Sequence, residues 1–135
     1  MKRFDQILLI AGFVAFSWLA MQAIHELGHV LGARATGGMV TKVVLHPLAL
    51  SRTDVSPNPR PLFVVWAGPI VGAVLPLIAF LIAAALRSPG LYLFRFFASL
   101  CLIANGVYIA VGSVQVLLKG LFGPVLTYNG IHRIA

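Results

Sequence analysis

The residues with the clearest capacity for chemistry are His25, Glu26 and His29, in the run His25-Glu26-Leu27-Gly28-His29. On a helix, side chains four residues apart leave one face about one turn apart, so both imidazoles can hold a single metal ion. Zinc takes neutral imidazole nitrogens readily, and a glutamate one residue along sits beside the open coordination position. There it can take a proton from water polarised by the ion. The pattern therefore points to metal-assisted hydrolysis, with His25 and His29 as ligands and Glu26 as general base. A blander reading has the three residues face a neighbouring helix and hydrogen-bond as packing contacts. Cost argues against it: an ionised residue at the centre of a membrane helix costs roughly 2.5 to 3.5 kcal/mol on insertion scales, and such residues default to function.

Composition places that run in a membrane. Of 135 residues, 60% are hydrophobic and 10% charged, with a mean hydropathy of +0.99. Soluble domains carry about 25% charged residues. The net charge of +7 is spread over segment ends and connections, which suits lipid headgroups rather than nucleic acid. Cys101 is the one cysteine, so no intrachain disulfide can form, and it reads as a small buried hydrophobe.

The elements that must position the site follow from the hydropathy. The run Ile7 to Ile24 has only Ser17 and Gln22 as polar members. It is longer than a signal-peptide core of about 7–15 residues, and no small-residue cleavage site closes it. A first transmembrane helix is expected over 4–36, ended by a left-handed cap at Gly37-Gly38. Such a helix is about 50 Å long against a hydrocarbon core of roughly 30 Å, which puts His25 and His29 toward its exit side. Gly28 and Gly32 form a small-residue pair that lets another backbone approach the metal face.

An insert over 39–61 follows. The β-branched run around Val40, Thr41, Val43 and Val44, with Lys42 among them, predicts a strand over Met39 to His46; Pro47 breaks it, and a second strand is expected over Leu48 to Thr53. Ser56-Pro57-Asn58-Pro59-Arg60-Pro61 is a helix-excluding connector. The hairpin reads either as a platform for an extended peptide or as an amphipathic loop at the interface. A second span is expected over 62–86 and a third over 91–118, with Asn105 the one strongly polar residue at depth in this half. Asn105 reads as interhelical glue or as a neighbour of the metal. The fold class is thus an all-α integral membrane protein of about three transmembrane helices, forming a single domain over 1–135, with a short β-hairpin-like insert between the first and second.

The chain resembles the site-2 protease family of intramembrane zinc metalloproteases, and more closely its small bacterial branch. The resemblance rests on His25-Glu26-Leu27-Gly28-His29 late in the first span, Gly37-Gly38, the hairpin-like insert, Ala67-Gly68-Pro69 in the second span, and Ala104-Asn105-Gly106-Val107-Tyr108 with Gly112-Ser113 in the third. It covers about Ile7 to Ser113. It implies Zn2+ held by His25 and His29, Glu26 as general base, and hydrolysis of a peptide bond in or near a transmembrane segment of another protein. The implied partners are that membrane-protein or peptide substrate and the lipid bilayer, with no nucleic acid. The implied setting is the bacterial cytoplasmic membrane, crossed several times.

One departure stands out. The family takes a third ligand from an aspartate on a later segment, and only Asp5 and Asp54 are available here. Asp5 lies about 30 Å from His25 along one helix. Candidates for the third ligand or a site neighbour are Asn105, Asn129 and Asp54; His132 is chemically suitable, and in a fragment the aspartate would lie beyond Ala135. The alternative function is a non-catalytic protease-like protein that binds or scaffolds another membrane protein.

Overall fold

The computed structural model describes residues 3–49 and 51–131, with side chains described as far as Val111 and at Val114. In order, the elements are α1 (Arg3–Ala35), β1 (Val40–Val44), β2 (Arg52–Val55), α2 (Pro61–Ala85) and α3 (Leu91–Ile131). Three stretches, Arg3–Ala35, Pro61–Ala85 and Leu91–Val111, are long and apolar enough to cross a membrane. The protein is a multi-pass helical membrane protein carrying one small antiparallel sheet. Large apolar side chains such as Ile7, Leu8, Leu62 and Ile103 point outward, as lipid-facing helices require.

The chain divides into two compact units, residues 1–105 and 106–135. The second is helical through Ile131, so the helix expected to end at 118 continues past it. Everything below concerns the first unit.

The end of α1 is set by Gly37, whose φ of 76° is left-handed. That turn lets the Gly38 N–H donate to the Ala33 carbonyl at 2.8 Å and the Gly37 N–H to Arg34 at 3.3 Å, closing carbonyls that the helix leaves open. Pro61 begins α2, where its missing N–H costs no hydrogen bond. The same helix ends with Arg87 at φ 50°, and Ser88 N–H donates to Ala83 at 3.0 Å.

α1 and α2 pack with their backbones nearly touching. A Cβ on Gly28 would meet the Ala67 carbonyl oxygen, and one on Gly32 would lie 2.7 Å from the Ala67 Cβ. α3 adds a ring contact, Phe96 to Phe13, with centroids 5.5 Å apart, and buries Ala98, Cys101 and Asn105.

The hairpin differs from the expected one in its second strand. β1 pairs with β2 through Lys42↔Asp54, Val43↔Thr53 and Val44↔Arg52, so the return strand starts at Arg52 rather than Leu48. The reason is the turn after β1: His46 Nδ1 accepts the Leu48 N–H at 3.1 Å, and the carbonyls of this stretch are taken by α1. Trp18 Nε1 donates to Pro47 at 3.1 Å, and Gln22 Nε2 donates to Ala49 at 3.3 Å. With the Gln22 amide turned over, it donates instead to the His46 carbonyl at 3.3 Å and accepts from Trp18 at 2.8 Å. In either orientation Gln22 satisfies a carbonyl of the turn, which makes irregular backbone tolerable beside a membrane helix.

Candidate metal centre

Helical spacing brings His25 and His29 together, and α2 and α3 fix their rings. The two Nε2 atoms lie 3.0 Å apart, and the rings meet edge to face with centroids 4.8 Å apart. His29 Nδ1 lies 2.7 Å from the Val64 carbonyl oxygen of α2. A carbonyl has two lone pairs, so Val64 can accept this bond and keep its place in the helix. His25 Nδ1 lies 2.6 Å from Asn105 Oδ1 of α3. The orientation of that amide is set from behind, because Asn105 Nδ2 donates to the Cys101 carbonyl at 2.8 Å.

Those contacts decide the tautomers. Both Nδ1 atoms face oxygens that can only accept, so both carry the hydrogen, and both Nε2 atoms are left as acceptors. Two acceptors directed at each other across 3.0 Å repel unless a cation, either a metal ion or a proton carried by one Nε2, stands between or beside them. The separation is shorter than twice a usual Zn–N bond of about 2.0–2.1 Å, so one ion can reach both. Imidazoles that ligate a metal almost always donate their other N–H to a carbonyl or carboxylate, which both do here. The two imidazoles, with Glu26 beside them, form a group that could hold a metal ion.

Glu26 completes the cluster: its carboxylate and the two imidazoles offer ligand atoms that all lie within 4.8 Å of one another. The side chain is 2% exposed, and a carboxylate so buried needs donors. The hairpin supplies them. Ser51 Oγ donates to Oε1 at 2.7 Å, and Thr53 Oγ1 donates to Oε2 at 2.5 Å. A carboxylate accepts at about four positions, so lone pairs remain for a water molecule.

No family model, curated protein or solved structure matches the chain.

Of the candidates for a third ligand, Asn105 is brought to the site, but behind His25 rather than beside its Nε2. Its oxygen is occupied by the Nδ1 hydrogen and its nitrogen by Cys101, so it stands as a neighbour of His25 and offers no atom toward the space beside the two Nε2 atoms. Asp54 is excluded by strand geometry. Thr53 faces Glu26, and successive strand residues point to opposite faces, so the Asp54 carboxylate lies on the outer face, where it pairs with Arg52 at 3.6 Å. The side chain of Asn129 and the whole of His132 lie outside the described residues. Among the described residues, no carboxylate other than Glu26 joins the two histidines.

The sequence reading missed Ser51, Thr53, Trp18 and Gln22 as parts of the site. A signal was present: Trp18, Gln22 and Glu26 recur every fourth residue along α1, a polar ladder on one face.

Proposed function

We propose that the protein is an intramembrane zinc metalloprotease, similar to the site-2 proteases, that hydrolyses a peptide bond in or near a transmembrane segment of another protein. The supporting observation is the facing pair of Nε2 atoms at 3.0 Å, each ring anchored through Nδ1, with the Glu26 carboxylate alongside. Zinc held there would activate a water molecule and polarise the scissile carbonyl. His25 and His29 do the holding. Glu26 takes one proton from the attacking water as its oxygen adds to the carbonyl carbon. The carboxylic acid then gives that proton to the departing amine as the C–N bond breaks. Ser51 and Thr53 keep the carboxylate aimed during both transfers.

The chain sits in the bacterial cytoplasmic membrane with the lipid bilayer around its helices. Its substrate is a membrane protein with an unwound segment, which can pair with the backbone of β1 on the side away from β2.

A second reading is a non-catalytic relative that holds another membrane protein. The observation favouring it is that Glu26 is the only carboxylate beside the histidines among the described residues.

The experiment separating the two uses the purified protein in lipid vesicles with a single-span membrane protein carrying helix-breaking residues in its span. Cleavage that a chelator stops and added zinc restores, in wild type but not in His29→Ala, supports the protease. Zinc binding without cleavage supports the second reading.

A further inference from the structure

Asn105 is 1% exposed and both ends of its amide are used within the bundle. Its place exists because residue 72 has no side chain. A Cβ on Gly72 would fall 2.7 Å from Asn105 Oδ1, 2.8 Å from Nδ2 and 3.0 Å from the amide carbon. Distances under about 3 Å from a Cβ force a displacement, and an amide pinned at both ends is not the loose tip of a flexible side chain. The amide therefore lies flat against the α2 backbone at Gly72, with Cys101 orienting it and His25 reading it.

We propose that Asn105 and Gly72 act together as a positioning pair. Gly72 leaves the space in which the Asn105 amide stands, and Asn105 Oδ1 keeps the hydrogen of His25 on Nδ1, so that Nε2 faces the metal position. The proposal rests on the metal-site reading above and assigns Asn105 an indirect role in place of a ligand's. Loss of a hydrogen-bonding partner behind a metal-bound histidine costs about 10–100-fold in affinity. A carboxylate at 105 could accept from Nδ1–H as the amide oxygen does but could not donate to the Cys101 carbonyl, whereas an aliphatic side chain could do neither. Glycine at 72 carries no polar group, and the atoms nearest an added methyl there are those of the Asn105 amide, so the amide is the first group it would move.

The test uses full-length protein in detergent with 15N-labelled histidine. It measures the His25 tautomer by nitrogen chemical shifts in metal-free protein, and zinc affinity by competition with a chromophoric chelator. Wild type, Asn105→Leu, Asn105→Asp and Gly72→Ala are compared, with helix content as the check on folding. Expected is the Nδ1–H tautomer in wild type and Asn105→Asp. Asn105→Leu and Gly72→Ala should each lose it and bind zinc about 10–100-fold more weakly. Should Asn105→Leu fail to fold, Gly72→Ala carries the comparison alone. Wild-type tautomer and affinity in Gly72→Ala, or in a folded Asn105→Leu protein, would overturn the proposal. A tautomer that switches as expected in proteins that bind no zinc would support the pair and overturn the metalloprotease reading.

Discussion

Gly28 of α1 lies so close to Gly68 of α2 that a Cβ on Gly28 would stand 2.8 Å from the Gly68 Cα. This contact lets the Val64 carbonyl reach His29 at 2.7 Å, and it puts Gly68 directly under the His29 ring, where a Cβ would meet Cε1 and Nε2. Helix packing and the placement of the two imidazoles are therefore one problem in this protein. The small residues that permit close approach in a membrane also determine where an imidazole sits.

Gly28→Ala is expected to force α1 and α2 apart, because its methyl meets backbone atoms that cannot turn aside. Overpacking of this kind costs typically about 1–3 kcal/mol. Thermal unfolding in detergent should show a lowered midpoint, and zinc affinity should fall with it as His29 loses Val64. An unchanged midpoint would mean that the helices have slack at this contact.

Thr53→Val removes one of the two hydroxyl donors to the buried Glu26 carboxylate. A hydrogen bond to a charged group contributes about 1.5–3 kcal/mol, and stability should fall by that order. In a double-mutant cycle with Glu26→Gln, the two losses should add to less than their sum, since both act on one interaction. Strict additivity in chemical denaturation would show that Thr53 stabilises the hairpin by some other route.

How far the sequence foretells this arrangement depends on whether the cause is local. The long apolar runs, the helical spacing of His25 and His29 and the cap at Gly37 are local, and the structure shows them where periodicity and capping put them. The return strand is not local. Its start at Arg52 depends on Trp18 and Gln22 taking carbonyls of the turn, nearly thirty residues away, and no pattern within residues 48–53 reports that. Asn105 lies between the two cases. Its polarity at depth marks it as a site neighbour, but only the Cys101 carbonyl behind it shows which way the amide faces.

Zinc affinity should weaken as pH falls, because a ligating imidazole must be neutral and protons compete with the metal for Nε2. The sign is fixed by that competition: affinity is greatest above the range in which imidazole protonates and is lost below it. Zinc-competition titrations at several pH values check this. Affinity independent of pH across that range would argue against histidine ligands.

Charge bias sets the expected orientation. The connection after α1 carries Arg34, Lys42, Arg52 and Arg60, against Lys2 and Arg3 before it, which places the hairpin on the cytoplasmic side. A cysteine at Ser56 is then protected from an impermeant thiol reagent added outside intact cells and reacts once they are opened. Cys101, fully buried, should stay silent in both. Labelling from outside would reverse the topology.

The central claim is that Glu26 serves as the proton carrier of a hydrolytic site built on His25 and His29. The most direct measurement is the rate of peptide-bond cleavage of a reconstituted single-span membrane protein by wild type and Glu26→Gln, with bound zinc determined in both. The amide preserves shape but cannot carry the proton, and general acid–base catalysis is typically worth about 10²–10⁴-fold. The account predicts equal zinc and a loss of rate of at least that order in Glu26→Gln. Equal zinc with equal cleavage by the two proteins would contradict it.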